Sequence, residues 1–239
     1  MMQFLSSRAA LPLVAVAAAL LGAGATWFAS REAGGSQVRD YLLANPEVIP
    51  EAMQRLQDKQ NGKVIAANRA DILTPVGGAW AGNPNGDVTV VEYLDYNCGY
   101  CRASLPIVDQ LIAADPKVKV IYRELPVLSL ESETAARYAI VAGRQGKYRA
   151  LHDALYANAP LTEASMDKAL VMAGLDPAGV KEEAKAASVE AAIKTNLSLM
   201  RPLGMTGTPT WVIGNRVVSS VMSLEAMQDA IATARAAKP

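Results

Sequence analysis

The chain is poor in the residues that most often hold metals, and it has no excess of either charge. It contains two cysteines and one histidine in 239 residues, too few for a zinc site with four Cys or His ligands. Lys and Arg together number 23, and so do Asp and Glu. A surface that binds nucleic acid needs an excess of basic residues, so this balance gives no support for a nucleic-acid partner.

The two cysteines lie close together, in Cys98-Gly99-Tyr100-Cys101, where a β-branched run meets a predicted helix start. With Cys98 at the N-cap, free backbone N–H groups and the positive end of the helix dipole favour its thiolate. Cys101, one turn later, is then placed to attack Cys98 and release a mixed disulfide. The spacing predicts a redox-active dithiol. Two alternatives are a structural disulfide, which stabilises little across so short a loop, and a two-thiolate metal clip.

Glu92 lies shortly before the cysteines, inside an apolar run, 88–94, that predicts a strand buried on both faces. A buried carboxylate is costly without a partner or a function, so a raised pKa is expected for it. Such a group can exchange a proton with the Cys101 thiol during resolution. The alternative is an edge glutamate that faces water.

The N-terminus, residues 1–25, has the features of an export signal. Arg8 is a basic start, an apolar run follows, and Ala23-Gly24-Ala25 matches an A-x-A cleavage site. The alternative is an uncleaved anchor that extends to about Ala29, where the apolar run is just long enough to span a bilayer. Either interpretation places the functional part outside the cytoplasm.

Residues 36–74 predict a helical arm ahead of the main domain. Its second helix, 47–73, begins with a narrow apolar stripe and continues into the polar stretch 57–63. The stripe consists of Val48, Ile49, Ala52, Met53 and Leu56. The arm either folds back on the main domain or forms a stalk that self-associates through the stripe, and the narrow stripe fits the stalk better.

The rest of the sequence predicts one α/β domain, formed by residues 75–128 and 206–239. An all-helical insertion, residues 129–205, interrupts this domain. Its predicted elements are a strand at 88–94, a helix to about 114, a parallel strand at 118–122, a hairpin at 210–213 and 217–221, and a last helix at 224–236. Four helices are predicted within the insertion, and the last of them runs without a break from Pro177 to about Met200. His152 borders the apolar stripe of the second of these helices, and it is expected to be packed and hydrogen-bonded.

Thr206-Gly207-Thr208-Pro209 comes directly before the predicted hairpin. A proline that opens a strand cannot donate to the ladder. A cis bond there would expose the backbone of Thr208 for pairing with an extended substrate. From the sequence alone, a trans proline in an ordinary loop is the default expectation.

VVEYLDYNCGYCRASLP, the helical insertion and GTPTWVIG together resemble the DsbA-like thiol-disulfide oxidoreductases of the thioredoxin superfamily, and among them the ScsC-like periplasmic disulfide isomerases. The resemblance covers about Val88 to the C-terminus. It implies a thioredoxin-like fold with Cys98 as the exposed nucleophile, Cys101 as the resolving thiol and Glu92 as the buried carboxylate. It implies no cofactor beyond the redox-active Cys98–Cys101 disulfide.

The same resemblance implies that Pro209 is a cis-proline facing the cysteines. Thr208, Pro209 and Tyr100 are then the candidate substrate-binding residues. Threonine before this proline is more typical of isomerases and reductases in the superfamily, and its hydroxyl can hydrogen-bond a sulfur. The Gly99-Tyr100 pair also departs from the Pro-His pair of the strong oxidase, because it places no imidazole beside the thiolate.

The resemblance therefore implies a periplasmic enzyme that acts on cysteine-containing client proteins, as an isomerase or reductase rather than an oxidase. Such an enzyme needs an electron donor, which the resemblance suggests is a membrane thiol reductase of the ScsB or DsbD type. A homo-oligomer through the arm would place several catalytic domains around one client. The alternatives are a DsbA-type oxidase and a Cu(I)-binding protein that uses the two thiols.

Overall fold

The computed structural model describes residues 18–24 and 37–237. Contacts within the chain divide it into two compact units, Met1–Arg55 and Leu56–Pro239. Of the predicted signal or anchor, residues 18–24 are helical and the rest lies outside the described residues. No helix in the part of the chain that the structure describes is both long enough and apolar enough to cross a bilayer.

The first unit contains the helical residues 37–44 (α1) and the beginning of the helix Val48–Ala67 (α2). The Asn45 N–H donates to the Tyr41 carbonyl at 2.9 Å and closes α1, so the chain breaks at Asn45-Pro46 as the sequence predicts. Large apolar side chains on both helices are exposed, namely Val38, Tyr41, Leu43, Ile49 and Met53. In the single chain these two helices therefore leave an apolar surface uncovered.

The second unit is built on a five-stranded sheet with the strand order β1-β3-β2-β4-β5. The strands are Trp80–Gly82 (β1), Val88–Leu94 (β2), Val118–Glu124 (β3), Thr210–Ile213 (β4) and Arg216–Val218 (β5). β2 and β3 pair in parallel, and all other neighbours are antiparallel. β2 and β3 are buried on both faces along nearly their whole length, as their continuous apolar sequences predict.

Helices pack on both faces of this sheet. They are Arg69–Leu73 (α3), Gly99–Ala114 (α4), Leu130–Arg144 (α5), Tyr148–Ala157 (α6), Glu163–Met172 (α7), Pro177–Glu183 (α8), Ala187–Leu199 (α9) and Leu224–Ala236 (α10). The helices from α5 to α9 form the predicted insertion between β3 and β4. The main core lies on the face covered by α4, α5, α6 and α10, and a second core contains Ile65 of α2 and Ile72 of α3.

The α/β fold class is confirmed, and several elements differ from the prediction. The sequence does not predict β1, which is short and pairs only with β3 at the edge of the sheet. The helix predicted from Pro177 to about Met200 is two helices, because the backbone at Ala186 is extended (ψ 137°) and redirects the chain. Similarly, the helix predicted for 47–73 is interrupted at Asn68, and β5 ends at Val218.

Candidate active site

Cys98 is the N-cap residue of α4. Its backbone is extended (φ −80°, ψ 112°), and its sulfur accepts a hydrogen bond from the Cys101 N–H at 3.3 Å. The Arg102 N–H donates to the Cys98 carbonyl at 3.1 Å and begins the helical ladder. The sulfur of Cys98 therefore lies at the positive end of the helix dipole, which favours a thiolate.

The two cysteines are free thiols, and their pKa values are shifted in opposite directions. A hydrogen bond from the Cys101 thiol is the main cause that lowers the pKa of Cys98 to about 5, and the backbone N–H groups of Cys101 and Tyr100 contribute. Burial raises the pKa of Cys101 far above that of an ordinary thiol, and the charges of Glu92 and Cys98 act in the same direction. At neutral pH the pair is therefore one thiolate beside one protonated thiol.

Thr208 and Pro209 cover Cys98 from the loop before β4. Their peptide bond is cis, as the resemblance implies, and not trans as the sequence alone favours. The Cys98 sulfur contacts the Thr208 carbonyl at 3.2 Å. The Thr208 hydroxyl is near enough to help lower the pKa of Cys98, but it has no hydrogen bond of ordinary geometry to any described residue. The sulfur therefore lies at hydrogen-bond distance from the Thr208 carbonyl, and the Thr208 hydroxyl acts on the pKa of Cys98 without a hydrogen bond of ordinary geometry.

This loop also corrects the expected accessibility of the nucleophile. Cys98 is 7% exposed, and Cys101 is 1% exposed. Cys98 is thus less exposed than the resemblance implies, because the carbonyl before Pro209 lies against its sulfur. It is still the more accessible of the two sulfurs.

Glu92 lies in the central strand β2, between Tyr122 of β3 and Trp211 of β4. It is 3% exposed, so the structure excludes the alternative in which it faces water. Burial raises the pKa of Glu92 well above its usual range, and the negative charges of Cys98 and Glu124 add to this effect. A carboxyl group in this state keeps its proton to a higher pH than an ordinary glutamate and can exchange that proton with a nearby thiol.

Asp95 is a site residue that the sequence analysis does not identify. It is 1% exposed, and its carboxylate binds the turn before Cys98 to the loop after β3. It accepts hydrogen bonds from the Asn97 N–H (2.8 Å), the Val127 N–H (2.9 Å), the Leu128 N–H (3.0 Å) and the Ser132 hydroxyl (2.6 Å). The signal available in the sequence is an aspartate at the end of an apolar strand, where burial requires several donors.

These features can be compared with known proteins. The model of the DSBA-like thioredoxin domain matches residues 89–232, more than half of the chain. The chain belongs to the DSBA-like thioredoxin family. Residues 35–61 match a second family model, the N-terminal domain of the copper resistance protein ScsC. The resemblance inferred from the sequence is therefore confirmed, and this DSBA-like chain has the fold of a thiol-disulfide oxidoreductase.

Solved structures agree with the family. A thioredoxin-like oxidoreductase from Silicibacter pomeroyi DSS-3 is 38% identical, with a TM-score of 0.68, covering 72% of this chain and 99% of that one. ScsC from Proteus mirabilis in a compact conformation is 25% identical, with a TM-score of 0.61, covering 79% of this chain and 98% of that one. This DSBA-like chain therefore shares its fold with both proteins.

A curated relative is much longer than this DSBA-like chain. It is the Na(+)/H(+) antiporter NhaA 3 of Salinispora tropica, which is 28% identical over 150 residues. Those residues are 62% of this chain and only 23% of the antiporter.

The DSBA-like site is bordered by exposed apolar side chains. Tyr100, between the two cysteines, is 69% exposed. Val127 and Leu128 are exposed on the loop that Asp95 anchors, and Leu130 is exposed at the first position of α5. The Asp95 carboxylate thus holds the backbone of Val127 and Leu128 near the turn that precedes Cys98.

His152 is packed inside the DSBA-like domain, as the sequence predicts. It is 1% exposed and lies among the rings of Tyr96, Tyr122, Tyr148 and Tyr156. Burial lowers the pKa of His152 to about 3, so the imidazole is neutral. Within the described residues there is no group of three or more Cys, His, Asp or Glu side chains that could hold a metal ion.

Proposed function

We propose that this protein is an exported thiol-disulfide oxidoreductase that isomerises or reduces disulfides in client proteins. The observation that carries the disulfide-exchange chemistry is the position of Cys98 at the N-cap of α4, where hydrogen bonds from Cys101 lower its pKa, beside the buried Cys101 thiol. The thiolate is the nucleophile in disulfide exchange, whereas a thiol is unreactive. An enzyme that isomerises disulfides must begin with a reduced nucleophile, and in the reduced pair Cys98 is a thiolate at neutral pH.

In isomerisation, the Cys98 thiolate attacks a sulfur of the client disulfide. A Cys98–client bond forms, the client disulfide breaks, and its electron pair leaves on the second client sulfur. That thiolate, or another in the client, then attacks a further client disulfide. The cycle ends when a client thiolate attacks the sulfur bonded to Cys98 and releases the Cys98 thiolate, with no net transfer of electrons.

In reduction, Cys101 ends the exchange instead. Its proton passes to a base, its sulfur bonds to Cys98, and the client leaves as a thiolate that carries the electron pair. The client gains two electrons, and the Cys98–Cys101 pair becomes a disulfide. A membrane thiol reductase of the ScsB or DsbD type is the proposed donor that restores the dithiol.

Tyr100, Thr208 and Pro209 are the proposed client-binding residues. Tyr100 offers an exposed ring, and the backbone of Thr208 lies directly against the sulfur that a client must reach. Extended peptides bind well to backbone groups of this kind, because main-chain hydrogen bonds require no particular sequence.

The helical arm is proposed to assemble several copies of the chain. The match of residues 35–61 to the ScsC N-terminal domain and the exposed apolar residues of α1 and α2 support this role. Tethered catalytic domains raise the effective concentration of thiolates around one client, which favours repeated exchange. The proposed location is the periplasm, in agreement with the apolar N-terminus and its A-x-A pattern.

Recovery of activity from ribonuclease with scrambled disulfides tests the proposed function. We expect reduced wild type to restore ribonuclease activity and Cys98→Ser to be inactive. Cys101→Ser keeps the nucleophile and should accumulate a mixed disulfide with the ribonuclease. An inactive wild type that binds stoichiometric Cu(I) through both thiols would support the copper-binding alternative instead.

A DsbA-type oxidase is the second candidate, and the low pKa of Cys98 favours it. Stabilising the thiolate stabilises the reduced form, which makes the disulfide a stronger oxidant. The reduction potential of the Cys98–Cys101 pair separates the two functions. A value near ~−120 mV would indicate an oxidase, and a value of ~−200 mV or below would indicate a reductively maintained isomerase.

A further inference from the structure

A second buried carboxyl group, Glu124, lies on the same face of the sheet as Glu92. It ends β3 and is 3% exposed. In the parallel register, Glu92 is opposite Tyr122 and Leu94 is opposite Glu124. Because alternate residues of a strand share a face, the two carboxyl groups lie diagonally across neighbouring strands on the side of the main core. The domain therefore holds two buried acids beneath its thiols.

Two tyrosine hydroxyls hold Glu124. Its Oε1 accepts hydrogen bonds from Tyr148 at 2.8 Å and from Tyr96 at 3.3 Å. The Tyr96 oxygen also lies 3.2 Å from Nδ1 of His152. Tyr96 has a single hydroxyl proton and cannot donate it to both neighbours. The position of that proton therefore decides how many donors Glu124 receives.

The second nitrogen of His152 indicates where the proton lies. Nε2 is buried and has no hydrogen-bond partner among the described residues. A buried N–H without an acceptor is less common than a buried acceptor without a donor, so we assign the single imidazole proton to Nδ1. Nδ1–H then donates to the Tyr96 oxygen, and Tyr96 donates to Glu124. Oε1 of Glu124 thus receives two hydroxyl donors, which stabilise its carboxylate, whereas Oε2 is buried without a hydrogen-bond partner among the described residues.

The groups that affect Glu92 are different. Burial raises its pKa most, the charges of Cys98 and Glu124 raise it further, and only Arg149 opposes them. Burial raises the pKa of Glu124 to about 8, and the hydrogen bonds from Tyr148 and Tyr96 oppose that rise. The two hydroxyl donors therefore favour the charged form of Glu124, whereas the negative charges near Glu92 oppose its charged form. As neighbouring acids, the two titrate as a coupled pair.

We propose that Glu124 is a positioning residue for thiol exchange, and that its negative charge sets the pH range in which Glu92 takes the proton of Cys101. This inference rests on the proposed function. In the step concerned, the Cys101 S–H gives its proton to the Glu92 carboxylate and the Cys101 sulfur bonds to Cys98. The bond from Cys98 to the client sulfur breaks, and the client leaves as a thiolate. The dithiol is oxidised and the client is reduced.

A charge on Glu124 makes Glu92 a stronger base. Proton transfer from a thiol is more favourable to a carboxylate whose pKa is closer to that of the thiol. Without that charge, Glu92 ionises at lower pH and is a weaker acceptor. The polar and charged groups near Glu92 are Cys98, Cys101, Tyr122 and Arg149. Those around Glu124 are Asp95, Tyr96, Tyr148 and His152, and Tyr156 interacts with both carboxyl groups.

The test is the reaction of the reduced protein with an aromatic disulfide reagent that releases a coloured thiolate in two phases. The first phase reports attack by Cys98, and the second reports resolution by Cys101. We expect the second-phase rate of wild type to rise with pH through an inflection. Glu124→Gln keeps the side-chain volume and an acceptor oxygen, and it should move this inflection about one pH unit lower. Glu92→Gln should abolish it.

Controls separate this inference from the proposed function and from misfolding. Glu225→Gln, at an exposed position of α10, should leave both phases unchanged. Absence of the first phase in wild type would overturn the proposed function itself. Both phases present, with an inflection that Glu92→Gln removes and Glu124→Gln does not move, would overturn the role of Glu124 alone. If Glu124→Gln does not fold, Tyr148→Phe is the second variant, because it removes one hydrogen-bond donor from Glu124. It must move the inflection in the same direction by a smaller amount. An inflection that does not move in Tyr148→Phe would also overturn the role of Glu124.

Discussion

Cys98 and Cys101 differ in acidity because they have different partners. Cys98 receives hydrogen bonds from Cys101 and from the backbone at the start of α4. Cys101 is buried near Glu92, whose charge opposes a second thiolate. The two sulfurs therefore have separate tasks before a client arrives, with one ready to attack and the other held protonated until resolution.

Replacing Cys101 measures how much of the acidity of Cys98 comes from its neighbour. In Cys101→Ala, loss of the main hydrogen bond should raise the pKa of Cys98 from about 5 by about one unit or more. Cys101→Ser keeps a hydroxyl donor and should show a smaller rise. The ultraviolet absorbance of the thiolate, recorded against pH, gives both values. An unchanged midpoint in Cys101→Ala would mean that the helix N-terminus alone sets the acidity.

Asp95 is expected to be more important for stability than an ordinary surface aspartate. Asp95→Ala leaves the Val127 and Leu128 N–H groups and the Ser132 hydroxyl without their acceptor. We expect the free energy of unfolding to fall by about 2–4 kcal/mol, because one buried and two partly buried donors lose their acceptor. Asp176→Ala, at the exposed N-cap of α8, is the matched control, with an expected loss of about 1 kcal/mol. Equal losses in urea denaturation would contradict the anchoring role.

Among the elements, the hairpin of β4 and β5 connects the site to the last helix. Thr208 and Pro209 lead directly into β4, which pairs with β2 beside Glu92. The turn at Gly214-Asn215 then packs against α10, where the ideal position of a Cβ at Gly214 lies 2.8 Å from the Cβ of Ala234. The position of the loop over Cys98 therefore depends on close packing at the far end of the same strand.

Gly214→Ala tests this packing. Gly214 has φ +59°, a left-handed conformation that costs an alanine about 1–2 kcal/mol, and overlap with Ala234 should add about 1–3 kcal/mol. Gly146→Ala is the control, since φ is +69° there but the added Cβ meets no atom within 4 Å. We expect the urea midpoint to fall more for Gly214→Ala than for Gly146→Ala. Equal shifts would show that the turn tolerates the extra methyl group.

For the molecule as a whole, the proposed assembly depends on apolar side chains that the single chain leaves exposed. Ile49 and Met53 are 50% and 67% exposed and lie one turn apart on α2. A monomeric protein gains nothing from exposing such a stripe, whereas a helix partner would bury it. The same sequence feature therefore bears on the choice between isomerase and oxidase, since isomerisation benefits from several thiolates around one client.

Met53→Asp should dissociate the proposed oligomer. We expect sedimentation velocity to show an assembly for wild type and a monomer for Met53→Asp, because a charge in an apolar interface remains unpaired. Gln54→Asp, which adds the same charge at the next exposed position, should keep the assembly. Unscrambling of ribonuclease should fall with Met53→Asp while simple reduction of an insulin disulfide is retained. A monomeric wild type would contradict the proposed assembly.

Much of the fold follows from local patterns in the sequence. The buried strands β2 and β3, the N-cap position of Cys98 and the cap of α10 at Ser223 are all predictable, because each depends on residues within a turn or two. β1 and the break between α8 and α9 are not, because packing against distant elements stabilises them. Local sequence propensities carry no information about such contacts.

The chemistry of the site divides in the same way. Two cysteines at this spacing, ahead of a helix, are sufficient to indicate a reactive dithiol, since capping and dipole act within one turn. The Thr208 carbonyl against Cys98, the four donors to Asp95 and the tyrosines around Glu124 required the folded chain. Cys98 and Thr208 are 110 positions apart, and Tyr96 and His152 are 56 apart. Contacts at such separations leave no periodic trace in the sequence, because only the packing of the sheet and its helices brings them together.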